Sequence, residues 1–379
     1  MKIVVDGMGG DHAPETAVEG AVLAAREYGI SIILTGVEPR LKEELNKYPD
    51  AKDLPIEIRH AEEVVDMHDS PSKVVRSKRR SSMKIGLDLV KGGEASAFVS
   101  AGNTGAVLAY STFSLRFLKG VDRPAIAIQL PTLKGTSILL DAGANVDCKA
   151  NQLFQFALMG HVYAKYFLEN ENPSIGLLSI GEEDSKGNET TKEVFKMLKR
   201  TNLNFIGNLE GKEVYRGNAD VIVCDGFIGN IALKISESLA EMIGTNLKEM
   251  FSSSLAGNLG YFFMKSKFTA FKKKVDYSEK GGAPLLGVNG VCMIAHGSSS
   301  GKAIKNAIAR AKELIDKKIN LHICEDIESH LDDKGSLWQQ IVEMVSGQDD
   351  EEEKPGEKPN SEESPSQKTD DDEGTVTKK

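Results

Sequence analysis

Short apolar runs alternate along the chain with amphipathic stretches of helical length. The runs that predict β-strands are Lys2–Val5, Ser31–Thr35, Ile56–His60, Ala97–Ser100, Ala125–Leu130, Ser137–Asp141, Ile175–Ile180 and Val221–Asp225. The stretches that predict helices include Ala13–Tyr28, Asn103–Leu118, Asn151–Leu168, Gly187–Leu198, Ala303–Lys317 and Leu337–Val345. This alternation favours parallel strands joined by crossover helices, so the sequence predicts an α/β fold with a mostly parallel sheet.

The composition changes at Gln348. The last 32 residues hold 12 acidic residues, 5 lysines and a single aliphatic residue, Val376. Such a segment buries too little apolar surface to offset its ordering entropy. We therefore predict a catalytic α/β domain of two lobes over residues 1–347 and a disordered acidic tail over residues 348–379. The tail carries −7 of the net charge of −9, so overall charge indicates no class of partner.

Several protein classes do not fit the sequence. No apolar run approaches the roughly 20 residues of a membrane span. Lys2–Val5 predicts a strand at the start of the chain, so we expect no signal peptide. The four cysteines are far apart and include no CxxC pair, which favours a reducing compartment and argues against structural zinc. The expected location is the cytoplasm.

Glycine-rich turns follow five of the predicted strands. The turns are Asp6–His12, Ala101–Gly105, Asp141–Asn145, Gly181–Asn188 and Asp225–Asn230. The carboxyl ends of parallel strands line the ligand crevice of an open sheet, where glycine lets backbone N–H groups approach a ligand. A small oxyanion such as phosphate suits these turns. The alternative for each single turn is an ordinary tight connection, in which glycine and asparagine are common.

Other familiar sites are missing or weak. No GxGxxG follows the first strand, and Gly297–Ala303 departs from a P-loop in its spacing and in Ala303. Cys148 beside Lys149 is more consistent with a small filler residue than with a catalytic thiolate. A Mg²⁺ ion held by Asp6, Asp141 and Asp225 stays possible, although nothing in the spacing requires a metal. We expect no cofactor.

Two stretches are candidates for contact with partners. Ser70–Lys84 contains six basic residues and no acid, namely Lys73, Arg76, Lys78, Arg79, Arg80 and Lys84. This basic stretch suits an acidic protein or a phosphate-bearing ligand, and the alternative is a solvated helix face. Nucleic acid is disfavoured, because the stretch has no interleaved aromatic residues.

The second stretch, Ile231–Val275, begins as an amphipathic helix. Its apolar residues recur every three or four positions, at Ile231, Ile235, Leu239, Met242, Ile243, Leu247 and Met250. A cluster of lysines lies beside further apolar residues. These apolar residues are Leu255, Leu259, Phe262, Phe263 and Met264. This tip predicts peripheral contact with an anionic membrane, and burial in a homodimer interface is the alternative.

Nine motifs occur in a consistent order between Met1 and about Leu331. They are Val5–Pro14, Ser100–Ala106, Asp122–Pro124, Gly143–Lys149, Gln155–Gly160, Ile180–Glu183 with Lys186–Asn188, Asp225–Phe227 with Gly229–Asn230, Gly281–Ala283 with Leu285–Gly287, and His296–Ser299. Together they resemble the acyl-acyl carrier protein:phosphate acyltransferase family of bacterial phospholipid synthesis. Gly7 stands where the family pattern has alanine, and the acidic tail lies outside the resemblance.

The resemblance implies a Rossmann-like three-layer α/β/α fold related to isocitrate and isopropylmalate dehydrogenases, with a protruding amphipathic helix pair, and a homodimer. The implied reaction moves a long-chain acyl group from acyl carrier protein to inorganic phosphate. A membrane glycerol-3-phosphate acyltransferase then consumes the acyl phosphate. The basic stretch becomes the candidate surface for the carrier.

Phosphate is itself the nucleophile in this reaction, so the protein mainly has to hold an anion and stabilise the oxyanion. The candidate catalytic residues are Lys186, His12, His296 and Asn230. The candidate substrate-binding residues are Asp6, Gly9, Gly10, Gly102, Asn103, Thr104, Gly143, Asn145, Lys149, Asn188 and Asp225. Two alternatives remain: a metal- and NAD-dependent dehydrogenase of the related fold, and a non-enzymatic membrane-peripheral scaffold.

Overall fold

The structure, a computed structural model, describes residues 1–252, 260–267 and 281–332. Residues Met1–His330 form one compact unit. The predicted helix Leu337–Val345 and the predicted tail lie outside the described residues, as do Leu255, Leu259 and Lys272–Lys274.

The predicted α/β class with mostly parallel strands is confirmed. The strands of the described residues are β1 (Lys2–Asp6), β2 (Ser31–Gly36), β3 (Ile56–His60), β4 (Ala97–Ser100), β5 (Ala125–Ile126), β6 (Ile128–Pro131), β7 (Thr136–Leu140), β8 (Ile175–Leu178), β9 (Phe205–Leu209), β10 (Val221–Val223), β11 (Ala283–Leu286) and β12 (Val291–Ile294). They divide between two sheets. The first has the order β3-β2-β1-β4-β12-β11-β5, and the second has the order β6-β7-β10-β8-β9.

Parallel pairing dominates both sheets and sets the direction of the strand ends. In the first sheet β3, β2, β1, β4 and β12 run parallel, whereas β11 and β5 pair antiparallel. In the second sheet β7, β10, β8 and β9 run parallel, and β6 is antiparallel to β7. The carboxyl ends of β1, β4 and β12 therefore lie side by side, and so do those of β7, β10 and β8.

The predicted strand Ala125–Leu130 is divided between the two sheets. Its first part, β5, pairs with β11, and its second part, β6, pairs with β7. Ala127 separates them, and its backbone N–H donates to the carbonyl oxygen of Pro284 at 3.0 Å. The chain therefore passes from one lobe to the other at this residue.

Helices cover the sheets. They are α1 (Glu15–Tyr28), α2 (Glu38–Leu45), α3 (Pro71–Ser77), α4 (Ser82–Lys91), α5 (Thr104–Ser114), α6 (Ala150–Val162), α7 (Glu189–Leu198), α8 (Gly226–Ser252), α9 (residues 260–267), α10 (Gly301–Asp316) and α11 (Ile319–Asp332). Polar side chains accept from backbone N–H groups at the start of α4, α5, α7 and α10, where Ser81, Asn103, Asn188 and Ser300 are the capping residues. For α5, α7 and α10 these caps explain why the helix begins directly after a strand-end turn.

One buried apolar cluster joins the two lobes. It runs from Val4 and Phe98 of the first sheet through Ile128 to Leu139 and Ile222 of the second. Full burial of such side chains contributes roughly 1.5–3 kcal/mol each relative to exposure. The core therefore holds the two sheets, and the strand ends they carry, in a fixed relation.

Helix α8 leaves much of its predicted apolar stripe uncovered. Ile235 is 62% exposed and Leu239 is 51% exposed. The ring of Phe251 at the end of α8 lies 6.1 Å from the ring of Tyr261 in α9, so the two helices contact each other. Within the residues described, no helix combines the length and apolar composition needed to cross a membrane.

Candidate active site

Loops after β1, β4 and β12 pack together at the carboxyl edge of the first sheet. The Ser100 hydroxyl donates to Asp6 Oδ2 at 2.8 Å and accepts from the Gly102 N–H at 3.0 Å. The Asp11 N–H donates to the carbonyl oxygen of Gly297 at 2.8 Å. A Cβ at Gly9 would lie only 2.5 Å from Asp6 Oδ2, so this contact requires glycine.

The turn after β7 is built around the Asp141 carboxylate. Its two oxygens accept hydrogen bonds of 2.7–3.1 Å from the backbone N–H groups of Ile126, Gly143, Ala144 and Asn145 and from the Asn145 amide. The second amide hydrogen of Asn145 is donated to Pro124 O at 2.7 Å. The polar groups of this turn are therefore used within the turn.

Both strand-end carboxylates are buried. Burial raises the pKa of Asp6 and of Asp141, and the surrounding N–H and O–H donors offset part of that rise. Asp225 accepts from the Ile228 N–H at 2.9 Å at the start of α8. Across the described residues, no group of three or more His, Cys, Asp or Glu side chains is arranged to hold a metal ion. The three aspartates organise the local backbone.

A cleft of about 260 Å³ lies between the two sheets and the first turns of α8. Its walls combine apolar and polar residues from both lobes. They are Thr104, Gly105, Ile126, Ile128, Gln129, Ala142, Gly143, Asn230, Leu233, Lys234, Glu237, Gly282, Ala283, Ile294, Ala295 and His296. Thr104, Gly143, Asn230 and His296 are candidate residues from the sequence, so the fold brings four of them to one cavity.

Asn230 and His296 offer polar groups to this cleft. The Asn230 side chain packs over Gly143, where a Cβ would lie 3.3 Å from Asn230 Cβ, and Gly143 has a φ of +129°. His296 Nδ1 lies 2.8 Å from Ser298 Oγ and accepts from the Ser298 N–H at 3.3 Å. That backbone contact favours the neutral tautomer with the proton on Nε2.

Other candidates from the sequence lie elsewhere. Lys186, Lys149 and His12 are exposed and do not line the cleft. Lys186 belongs to the turn after β8, where its N–H donates to Glu183 O at 3.0 Å. Asn188 caps α7.

The amide oxygen and both amide hydrogens of Asn103 form hydrogen bonds within the local structure. Its oxygen caps α5, and both of its amide hydrogens are donated to backbone oxygens, those of Met67 and Asp69. Asp6, Gly9, Gly10, Gly102, Asn145 and Asp225 are likewise absent from the cleft lining.

The basic stretch is partly neutralised by acids outside it. Lys78 pairs with Asp69 at 2.6 Å, Arg80 pairs with Glu62 at 2.8 Å, and Lys84 pairs with Asp88. The Lys78 ammonium holds the pKa of Asp69 below its usual range. Lys73, Arg76 and Arg79 are exposed, so half of the predicted surface keeps available charge.

Comparison with known proteins assigns the family. The chain matches the family described as fatty acid synthesis protein over residues 1–322. The phosphate acyltransferase of Geobacter sulfurreducens is 52% identical over 347 residues, which is 92% of this chain and 100% of that protein. The phosphate acyltransferase of Trichlorobacter lovleyi is 53% identical over 345 residues, 91% of this chain and 99% of that protein. The chain belongs to the phosphate acyltransferase family.

Membership in the phosphate acyltransferase family makes this protein an acyltransferase of fatty acid and phospholipid synthesis, which sets aside the dehydrogenase and scaffold alternatives. Solved structures agree on the fold. A phosphotransacetylase from Streptococcus pyogenes superposes with a TM-score of 0.56 at 21% identity, covering 83% of this chain and 94% of that chain. A branched-chain phosphotransacylase from Enterococcus faecalis gives a TM-score of 0.51 at 16% identity, covering 83% and 99%.

Sequence reasoning missed two charged residues of this candidate cleft. Lys234 and Glu237 line it and form an ion pair at 2.8 Å. Helical spacing was the available signal, because Asn230, Leu233, Lys234 and Glu237 are separated by three, one and three residues and share one face of α8. The apolar stripe of α8 was recognised, but the polar side that follows Asn230 was not.

The cysteines have no reactive environment. Cys148 is half-buried, and burial raises the pKa of its thiol to about 11. Burial also raises the pKa of Cys292 to about 12 and that of Cys224 well above its usual value. A thiol that stays protonated at neutral pH is a poor nucleophile, which agrees with the interpretation of Cys148 as a filler residue.

Proposed function

We propose that the protein transfers a long-chain acyl group from acyl carrier protein to inorganic phosphate and releases acyl phosphate. The observation that carries the proposal is the cleft, which joins an apolar wall to a polar wall. Ile126, Ile128 and Leu233 suit an acyl chain. Thr104, Asn230 and His296 suit an anion and a polar thioester.

The start of α5 supports anion binding. Thr104 and Gly105 are the first two residues of α5 and both line the cleft. The first N–H groups of a helix have no intrahelical acceptor and lie at the positive end of the helix dipole. The Asn103 cap takes the Ala106 N–H, so the two N–H groups before it remain for an oxyanion.

The chemistry then needs no enzymic nucleophile. A phosphate oxygen attacks the thioester carbonyl carbon, a carbon–oxygen bond forms, and the tetrahedral oxyanion collapses as the carbon–sulfur bond breaks. Asn230 and the start of α5 stabilise the oxyanion by hydrogen bonds. The thiolate takes up the proton that hydrogen phosphate loses on becoming acyl phosphate, and the Nε2–H of His296 stabilises the departing thiolate by a hydrogen bond. The conjugate thiol has a pKa of about 8.5, so this assistance is modest.

We propose Lys186, in the turn after β8, as a source of positive charge in addition to the start of α5. Its side chain is exposed, so reaching the substrate requires the carrier-bound thioester to extend over this turn. Lys149, exposed at the start of α6, is the weaker candidate for the same role. His12, in the loop after β1, is the weaker candidate for the hydrogen bond to the departing thiolate.

The test is mass-spectrometric detection of acyl phosphate from acyl carrier protein thioester and phosphate, without nucleotide or added metal. We expect product formation to depend on phosphate and to release free carrier stoichiometrically. A strict requirement for ATP, or reduction of NAD by the purified protein, would contradict the proposal. The acyl phosphate would pass to a membrane glycerol-3-phosphate acyltransferase.

We propose that acidic carrier protein docks on the half of the basic stretch that keeps available charge. Lys73, Arg76 and Arg79 are exposed, whereas Lys78, Arg80 and Lys84 are paired with local acids. Reversing the first three charges should raise KM for the carrier thioester and leave KM for a carrier-free acyl thioester unchanged. Arg80→Gln is the matched control, because its charge is already balanced by Glu62.

The apolar stripe of α8 favours a homodimer. Ile231, Ile235, Leu239 and Met242 are all more than 40% exposed along one helix, which is costly for a lone subunit in water. We propose that a second copy covers this stripe. Sedimentation velocity should give a dimer for the wild type and a monomer for Ile235→Glu with Leu239→Glu. A monomeric wild type would refute the proposal.

Helix α9 suits peripheral contact with an anionic membrane. Phe262 and Phe263 are 71% and 74% exposed and lie beside Lys265 and Lys267. Each lysine near an anionic surface contributes about 1 kcal/mol, and aromatic insertion adds to this. Wild-type protein should co-sediment with anionic vesicles at low salt, and Phe262→Glu with Phe263→Glu should stay in the supernatant with unchanged soluble activity. Equal co-sedimentation of both would refute the contact.

A further inference from the structure

We propose that Lys234 is the cation that binds the phosphate acceptor in the cleft. The inference deepens the proposed function, because it names the residue that recognises one of the two proposed substrates. It rests on that function only for the identity of the anion. The position of Lys234 as an anion-binding cation is argued from the geometry and the charges of the cleft wall.

Lys234 lies on the cleft-facing side of α8. Four residues of this helix line the cleft, and their separations of three, one and three match one face of an α-helix. Asn230, one turn before Lys234, is already assigned to the oxyanion. A cation one turn further along the same helix lies beside the reacting groups.

Lys234 is the one Lys or Arg among the described residues that line the cleft. His296 is the other basic residue there, and its Nδ1 is engaged by Ser298. A doubly charged anion entering a partly apolar cavity loses hydration, and a permanent positive charge offsets that cost. Lys186, Lys149 and the basic stretch lie outside the cleft lining and do not supply this charge within it.

The ion pair with Glu237 holds the Lys234 ammonium at the cleft wall and uses only one of its hydrogen-bond donors. An ammonium group has three donors, and Glu237 Oε2 accepts one of them at 2.8 Å. The Lys234 side chain is 55% exposed, whereas Glu237 is 22% exposed. The ammonium of this cleft-lining residue therefore keeps two donors available for phosphate oxygens, while the carboxylate is the more covered partner.

The start of α5 lies across the same cavity. Thr104 and Gly105 present the positive end of that helix, so a phosphate in the cleft meets donors from two elements of the fold. The Lys234 charge acts on the bound phosphate before and during attack. Its loss should therefore raise KM for phosphate more than it lowers kcat.

The test compares Lys234→Gln, Lys234→Arg and the control Lys248→Gln. Lys248 is an exposed lysine on the same helix that does not line the cleft. At saturating acyl donor, Lys234→Gln should raise KM for phosphate by about tenfold or more, with KM for the acyl donor within twofold. Lys234→Arg should recover most of the loss. Lys248→Gln should match the wild type.

A binding measurement without turnover separates this inference from the proposed function. Inorganic phosphate should raise Tm of the wild type and of Lys248→Gln, and the shift should be lost in Lys234→Gln at the same concentration. Equal Tm of the three proteins without phosphate verifies that they are folded. Phosphate binding that depends on Lys234 in a protein that makes no acyl phosphate would uphold the inference and refute the function. Acyl phosphate formation with an unchanged KM for phosphate in Lys234→Gln would overturn the inference alone.

Discussion

The turns after β7 and β8 flank β10 in the same sheet, yet their polar groups are used differently. In the turn after β7, Asp141 and Asn145 bind each other and the surrounding backbone. In the turn after β8, Glu182 pairs with Lys212 and Asp184 with Lys199, both outside the turn. Those acids are thus directed away from Lys186, which stays exposed.

The difference separates polar residues that build a turn from polar residues left for a ligand. Asparagine occurs in both classes. Asn103 and Asn145 donate both amide hydrogens to neighbouring acceptors, whereas Asn230 lines the cleft with no hydrogen bond to its amide among the described residues. An asparagine at a strand end therefore indicates a ligand site only if neighbouring backbone or side-chain acceptors do not already bind its amide.

The largest effect should come from Asp141→Asn. Every hydrogen bond to this carboxylate comes from an N–H group, so an amide NH₂ in place of one oxygen must face other donors. We expect the free energy of unfolding to fall by about 3 kcal/mol or more, measured by urea titration.

Asp6→Asn is the matched control for that change. Asp6 accepts hydrogen bonds from hydroxyl groups, those of Ser82 and Ser100, and a hydroxyl can rotate to accept from an amide. The loss should be about 1 kcal/mol. If Asp6→Asn destabilised the protein as much as Asp141→Asn, the distinction between the two carboxylates would be wrong.

Lys186→Ala tests the open turn after β8. The side chain is exposed, so the free energy of unfolding should change by less than about 0.5 kcal/mol. If Lys186 reaches the oxyanion, kcat should fall by on the order of 100-fold. Lys199→Ala is the control, since Lys199 pairs with Asp184 of the same turn and should be dispensable for turnover. Wild-type turnover in both variants would remove Lys186 from the site.

Asn145→Ala should mainly lower stability, whereas Asn230→Ala should mainly lower kcat. Asn145→Ala removes two hydrogen bonds of the β7 turn and should lower the free energy of unfolding by about 1–2 kcal/mol. Asn230→Ala should leave stability within about 0.5 kcal/mol and lower kcat by at least about tenfold. Urea titration and steady-state kinetics on both variants give the four values. A stability loss in Asn230→Ala equal to that in Asn145→Ala would place Asn230 among the structural residues.

Much of the fold is predictable from local sequence. Seven of the eight predicted strands occur as single strands, because each is a short β-prone run bounded by a turn, and all but the edge strand β3 are largely buried. The segment Ala125–Leu130 is split because its two halves pair with different sheets, and no local pattern specifies a partner. Strands β9, β11 and β12 were not predicted. Strands β11 and β12 are four residues long, and their pairing with β5 and β4 depends on residues far away in the sequence.

Residues that line the cleft were among the sequence candidates where they follow strand ends, and they were absent from the candidates where tertiary contacts bring them to the cleft. Thr104, Gly143, Asn230 and His296 follow parallel strands and reach the cleft. Lys234 lies two turns into α8, beyond the turn motif, and only the packing of α8 between the lobes brings it to the same cavity. The sequence overestimates the available charge of the basic stretch, because Glu62, Asp69 and Asp88 lie outside Ser70–Lys84 and pair with three of its basic residues.

The smallest expected effect extends the same comparison to the basic stretch, where Lys78 is paired and Lys73 is exposed. Lys78 lowers the pKa of Asp69, so this pair stabilises the fold above the unfolded-state pKa of about 3.9 and loses that contribution as pH falls through the lower folded-state pKa. Lys78→Gln should therefore lower the free energy of unfolding at pH 7 by less than about 1 kcal/mol, since the pair is partly exposed. The difference from the wild type should shrink as pH falls below the unfolded-state pKa and should vanish below the folded-state pKa, where both states bind the proton on Asp69. Lys73→Gln should follow the wild type from pH 3 to 7. A constant difference across that range would mean that Lys78 stabilises the fold through its hydrogen bond to Val64 O and not through Asp69.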